Sequence, residues 1–220
     1  MTWKTDEELF ALMRARLFTA VVGDVLDAIG HLHQFLPAGI TPLRSDMVVA
    51  GRAMPVLEAD CFGAGDRPFG LMLKALDDLK PHEVYVASGG SPRYALWGEL
   101  MSARAVRLKA AGAVLNGYSR DTKGIRELGL PVFSRGRYAQ DQSCRGKVID
   151  FRTAIEIEGV RINPGELVFA DLDGVLVIPK EAEREAISRS LEKVAGENAV
   201  RTAIQNGMSA SEAFEKFGVM

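Results

Sequence analysis

Two cysteines in 220 residues, Cys61 and Cys144, are too few and too far apart for a disulfide framework or a zinc cluster. They read as reduced thiols, with room for one bridge at most. Histidine is equally scarce. His31 and His33 stand two apart after a helix end and His82 is solitary, so a histidine metal site lacks a third ligand and loop or surface positions are expected. There is no basic excess either: 27 lysines and arginines face 29 acidic residues. That balance gives no cationic surface for holding a nucleic acid backbone by counterion release, and the partners expected are small molecules or protein surfaces. No apolar run approaches the roughly 18 to 20 residues that span a bilayer. The segment MTWKTDEELF is charged and has no apolar signal core, so a cytoplasmic location without a membrane partner is expected. Neither FGAGD (62–66) nor SGGSP (88–92) has G-x-G-x-x-G or Walker spacing. They read as loops whose amides meet a carboxylate.

What is present is an alternation of short apolar segments, without an internal repeat, long enough for one core. A single domain over residues 1–220 is expected, with N-terminal helices and a helical C-terminal tail. Thr5 and Glu8 have capping-box spacing ahead of Leu9, Phe10, Leu12, Met13 and Leu17. Thr19 reads as the cap of a second helix through Val22, Val25, Leu26 and Ile29, ending at Gly30. Residues 37–42 form a loop. MVVAGRAMPVLEA (47–59) is strand-like, its glycine marking a bulge or bend. Then come a helix in GLMLKALDDL, a buried strand in EVYVAS, a helix in GELMSARAVRLKAAG and a strand in GAVLNG. TKGIREL adds a helix and PVFS a strand, and parallel right-handed crossovers are expected between the strands. Beyond Val148 the chain turns β-rich in FRTAIEIEGVRI and GELVFADLDGVLVIP, with a turn at Asn163, Pro164 and Gly165. Residues 180–217 read as helix interrupted near Gly207.

DLDGVLV (171–177) has the form of the haloacid-dehalogenase nucleophile motif. Those phosphatases need a lysine and an acidic pair from strands far downstream, whereas the 46 residues after Gly174 read as helix. Asp171 and Asp173 are therefore assigned to a turn.

The segment WGELMSARAVRLKAAGAVLNGYSRD (97–121) places Glu99 one helix and one strand ahead of Arg120 and Asp121. An exposed acid and a surface Arg-Asp pair would contribute little to stability. Three features favour a site instead: the small-residue loop SGGSPRYALWG before Glu99, the glycines at 112 and 117, and the placement of charges at element ends, where ligands gather in open α/β sheets.

GEL followed after twenty residues by RD, with NGYSRD, PVFSRG and GVRINPGELVFADLDGVLVIP, resembles the family of 4-hydroxy-4-methyl-2-oxoglutarate aldolases and regulator of ribonuclease activity A. The resemblance runs from TAVVGDVLDAIG to PKEAE. The family signature is an acid, twenty residues, then Arg-Asp; Glu99, Arg120 and Asp121 fit it, with Glu where the characterised aldolases have Asp. The resemblance implies an α/β fold of the swivelling β/β/α kind, mixed sheets flanked by helices, assembled as a homotrimer or homohexamer with sites between subunits. It implies a divalent metal, Mg2+ or Mn2+, held by water and Asp121, and a 2-oxo acid substrate bound by Arg120 and by the amides of Gly98, Glu99, Leu100 and Met101. Arg120 would stabilise an enolate oxyanion and Glu99 would move protons. Arg93 is a further candidate for a distal carboxylate. Two alternatives stand beside pyruvate aldolase: a decarboxylase or lyase acting on oxaloacetate or another oxo acid, and a non-catalytic binder of ribonuclease or helicase partners. The presence of Glu99, Arg120 and Asp121 together favours catalysis.

Overall fold

In the computed structural model, which describes residues 3–63 and 68–218, the apolar segments become helices and strands in the anticipated order. Helices α1 (Asp6–Arg16) and α2 (Thr19–Ala28) lead into β1 (Thr41–Pro42) and the long β2 (Val49–Asp60). There follow β3 (Phe69–Gly70), α3 (Met72–Asp77), β4 (Glu83–Ser88), β5 (Ala95–Trp97), α4 (Glu99–Arg107), β6 (Gly112–Leu115), β7 (Tyr118–Ser119), α5 (Thr122–Leu128) and β8 (Val132–Ser134). The remainder is β9 (Gly146–Phe151), β10 (Ile155–Ile157), β11 (Val160–Ile162), β12 (Leu167–Ala170), β13 (Val175–Ile178), α6 (Glu183–Gln205) and α7 (Ala210–Phe217).

The main sheet runs β1-β8-β6-β4-β2-β12-β13, with β9 also on β2 and β3 on β9. Pairs β2/β4, β4/β6 and β6/β8 are parallel; β12 is antiparallel to both β2 and β13. Val84, Tyr85, Val86 and Ala87, like Ala113, Val114 and Leu115, have no exposed surface, the pattern of parallel strands covered on both faces. A second core gathers Leu9, Phe10 and Leu26 of the first two helices against Phe169, Leu176 and Ile187. The structure is thus the mixed α/β arrangement of sheet and flanking helices anticipated above. Among the described residues no helix is long and apolar enough to cross a membrane.

Strand β2 contains Pro55, which has no N–H to give a ladder. One edge of β2 pairs with β4 from Arg52 to Leu57; the other pairs with β12 only as far as Arg52 and with β9 only from Val56. Pro55 turns its carbonyl to the Arg152 amide on that divided edge (2.8 Å), so its missing donor falls in the seam between β12 and β9. The bulge anticipated at Gly51 lies elsewhere. Gly51 pairs regularly with Val168, and its lack of a side chain serves close approach, since a Cβ there would sit 2.4 Å from the His82 carbonyl oxygen. The register slips instead between Leu57 and Glu58.

Thr5 caps α1 as read, accepting from the Glu8 amide. Thr19 does not cap α2; it is the first helical residue, and the carboxylate of Asp171 accepts from both its amide (2.7 Å) and its hydroxyl (2.6 Å). Asp171 also accepts from the Asp173 amide (3.0 Å), so the β12–β13 turn and the start of α2 share one side chain. Part of FGAGD lies outside the described residues. Replacing Asp171 by alanine should lower stability by about 1 to 2 kcal/mol, the cost of an N-cap. In urea titrations this should appear as a lower midpoint at unchanged m-value; an unchanged midpoint would show that Asp171 does not hold α2.

Candidate functional site

Between Glu99 and Asp121 lie α4 and the strands β6 and β7, yet the two residues meet because the segments just before them pair. Strands β5 and β7 form a two-stranded parallel sheet with Ala95 opposite Tyr118 and Trp97 opposite Ser119, and the Arg120 amide donates to the Trp97 carbonyl (2.9 Å). β5 lies inside the stretch that reads as loop. Its last residue is anchored: the Trp97 indole N–H donates to Ser102 Oγ (2.6 Å), Ser102 Oγ donates to the Gly98 carbonyl (3.0 Å), and the Trp97 ring lies 4.9 Å from that of Tyr85.

Asp121 occupies the N-cap position of α5 with φ +56°, the left-handed region, and makes no cap bond to its own helix. Its carboxylate accepts instead from the amide of Glu99, the first residue of α4 (3.3 Å). Gly98 makes this possible, because a Cβ there would lie 2.6 Å from Asp121 Oδ2. The Glu99 carboxylate packs across α5, where a Cβ on Gly124 would fall 2.2 Å from its carboxyl carbon.

Beside these residues lies a cavity of about 360 Å³. Its wall is apolar at Met72, Leu73, Leu96 and Leu100, and polar at Arg120, Asp121, Asp141 and Gln142, the mixture usual for small-molecule sites. Arg120 Nη1 lies 3.0 Å from Asp141 Oδ1, and its Nε lies 3.5 Å from Asp121 Oδ2. Burial raises the Asp141 carboxyl, but hydrogen bonds from Ser143 and the Arg120 charge outweigh it and leave the group below its ordinary value. The structure therefore brings Gly98, Leu100, Met101, Arg120 and Asp121 to one cavity, with the Glu99 amide at its edge and the Glu99 side chain turned toward α5.

Asp141 and Gln142 were not legible as site residues. They follow β8 in an irregular segment, 21 and 22 residues after Arg120, with no periodicity or motif. Arg93 is placed elsewhere: it pairs with Asp60 (2.9 Å) and lines another cavity together with Cys61 and Cys144. The amide of Ser91 leads the interactions that hold Asp60 at about 2. Both thiols are free. Among the described residues no three His, Cys, Asp or Glu side chains cluster as a metal cage. The donor set fits a hard, largely hydrated cation: one carboxylate, Asp121, partly exposed on the cavity, with space for water beside it.

Comparison with known proteins identifies the family. The family described as RraA-like, Aldolase/RraA, matches residues 19–177. Protein DlpA of Legionella pneumophila is 31% identical over 200 residues, which is 90% of this chain and 32% of that protein, so the chain spans about a third of that longer relative. A protein of Halalkalibacterium halodurans named "Putative 4-hydroxy-4-methyl-2-oxoglutarate aldolase" is 32% identical over 198 residues, 89% of each chain. Among solved structures, Streptomyces coelicolor RraAS2, described as an unusual member of the RNase ES inhibitor RraA protein family, superposes with a TM-score of 0.78 at 25% identity, covering 91% of this chain and 99% of that one. With the family matching the stretch that carries Gly98, Glu99, Arg120 and Asp121, the chain belongs to the RraA-like family.

Proposed function

We propose that the protein is a divalent-metal-dependent lyase that cleaves 4-hydroxy-2-oxo acids such as 4-hydroxy-4-methyl-2-oxoglutarate to pyruvate, with oxaloacetate decarboxylation as a companion activity. The observation that carries this reading is Arg120, held at a small cavity between the carboxylates of Asp121 and Asp141.

The reaction breaks the bond between the third and fourth carbons. The 4-hydroxyl loses its proton as the fourth carbon becomes a carbonyl, and the bonding pair passes to an enolate that takes a proton at the third carbon to give pyruvate. Asp121 would hold Mg2+ or Mn2+, which when bound supplies a Lewis acid to the keto and carboxylate oxygens. Arg120 presents a fixed guanidinium to the oxygen on which charge develops, stabilisation of a kind that costs no reorganisation at the moment of reaction. Asp141 and Asp121 orient that guanidinium from two sides. The first-turn amides of α4 at Leu100 and Met101, which helix geometry leaves without carbonyl partners, receive the substrate carboxylate. Glu99 serves proton transfer at the enolate carbon through a water, since its carboxylate packs against Gly124 of α5. Loss of carbon dioxide from oxaloacetate leaves the same enolate, so one charge-stabilising arrangement serves both reactions.

Leu73 and Leu100 are exposed on the cavity rim at 59% and 84%; covering them supports assembly into a trimer or hexamer with sites at subunit boundaries. A second reading, a protein-binding module, draws on the description of RraAS2 as belonging to an RNase ES inhibitor family. Such binding would be indifferent to Arg120→Lys, which separates the two.

A pyruvate-release assay across 4-hydroxy-2-oxo acids and oxaloacetate tests the reading. Chelator should abolish turnover and added Mg2+ or Mn2+ should restore it. Asp121→Ala should require far more metal, and Gly98→Ala, which displaces the same carboxylate, roughly 10 to 100 times more, as for loss of a supporting contact at a metal site; activity of Asp121→Ala at unchanged metal concentration would overturn the assignment. Arg120→Lys keeps the charge and loses the planar fork, so the turnover number should fall by roughly 10² with little change in KM. Glu99→Gln should slow solvent exchange at the pyruvate methyl group by roughly 10² to 10⁴ while substrate binding survives. Parent-like exchange in that variant would remove Glu99 from the proton path.

A further inference from the structure

Behind the Arg120 cavity the fold buries one carboxyl group. Glu58 is 2% exposed and stands on β2 where the pairing with β9 slips: Leu57 faces Asp150, Glu58 faces Val148, and Ile149 is left over. Such slips re-aim side chains. Gln142 Nε2 donates to Glu58 Oε2 (2.6 Å). The other oxygen, Oε1, and the Tyr85 hydroxyl are the two fully buried side-chain polar atoms without a hydrogen-bond partner among the described residues.

The titratable groups facing Glu58 are Tyr85 from β4 and Tyr94 from the segment before β5. Tyr94 is tied to Asp60 (2.9 Å) and lies near the Cys61 thiol, and Asp60 is paired with Arg93. Among the described residues no cation is paired with Glu58. Burial pushes its carboxyl up to about 8, against the pull of the Gln142 hydrogen bond. An unpaired buried charge is costly enough that such a group stays neutral instead.

Gln142 connects this acid to the site. It is 3% exposed and lines the cavity, and its own carbonyl accepts from the amides of Arg145 and Gly146 (2.7 and 2.9 Å). The residue before it is Asp141, the partner of Arg120, and the carbonyl before that, on Gln140, accepts from the Ala95 amide at the start of β5 (2.9 Å). We propose that Glu58, as a neutral acid, is a positioning residue: through Gln142 it holds the 140–142 segment so that Asp141 meets Arg120, and its ionisation releases that hold. Among the described residues the anion has no paired cation, so it moves toward solvent, and because an ionised acceptor binds its donor more strongly, it takes Gln142 with it. The link from this geometry to turnover rests on the lyase reading above; the coupling of Glu58 to Arg120 does not.

The test follows the Arg120 Nε–H resonance through a pH titration, assigned by its loss in Arg120→Lys, alongside pyruvate release. In the parent the resonance should shift with a midpoint near 8, and pyruvate release should fall by roughly 10² across that range, the cost of a misplacement of about 1 Å. Glu58→Gln keeps the neutral shape at every pH, so both readouts should stay at their low-pH values. Gln142→Leu leaves Glu58 in place and cuts the connection, so the Arg120 resonance should no longer follow pH. Folding stability gives a further check. A carboxyl whose folded value is raised lets the native state bind more protons, so parent stability should decline as pH rises from the ordinary glutamate range toward about 8, and that slope should vanish in Glu58→Gln. An Arg120 resonance that does not titrate in the parent, or titrates equally in Glu58→Gln, overturns the proposal. If the resonance behaves as stated but no pyruvate is released at any pH, the lyase reading fails and the positioning role of Glu58 stands.

Discussion

The structure depends on a single strand serving two neighbours along one edge. β2 has 12 residues, about 40 Å at the usual strand rise, and gives one edge to β4 while dividing the other between β12 and β9. Every backbone group in such an interior strand needs a partner, and the divided edge meets this demand up to its seam. There the chain places Pro55, which has no donor to satisfy. Just past the seam the register slips and Glu58 is aimed inward. The strand that organises the sheet thereby also supplies the buried acid that Gln142 links to the cavity.

The site is assembled by a second economy of pairing. Two short parallel strands, β5 and β7, bring the start of α4 against the start of α5. The N-cap carboxylate of α5 then serves the first amide of α4, which ties the start of α4 to that of α5. Arg120 sits where this junction meets the 140–142 segment, held by one carboxylate from each. Its direction is therefore set by three separate parts of the chain, which is how a side chain with 36% of its surface exposed acquires a defined orientation.

Much of this was readable from the sequence because local signals and the fold agree. TKGIREL is α5 residue for residue, and the segments EVYVAS, GAVLNG and PVFS contain β4, β6 and β8, since parallel strands buried on both faces are continuous apolar runs. The spacing of Glu99, Arg120 and Asp121 marked a junction that the structure forms. What was not readable depends on contacts distant in sequence. Thr19 reads as a cap by composition, but its partner is 152 residues away at Asp171. Gly51 reads as a bulge, but the reason for glycine is the His82 carbonyl of a neighbouring segment. Asp141 and Gln142 carry no local pattern, and the inward aim of Glu58 follows from a register slip that no strand periodicity encodes. Arg93 lies near the loop glycines in sequence, and Asp60 draws it to a different cavity.

Asp121 adopts a left-handed backbone angle that L-residues with a side chain hold only at some cost, and that glycine adopts freely. Its carboxylate is nonetheless the group that meets the Glu99 amide and the Arg120 guanidinium. Selection acting at this codon therefore faces opposed gradients. A lineage released from the demand for this carboxylate would find glycine a relief for the backbone, whereas one that keeps the contacts to Glu99 and Arg120 must carry the strain. Position 121 thus works as a gauge, and the residue found there in a descendant reports whether the junction of α4 and α5 is still held by a carboxylate.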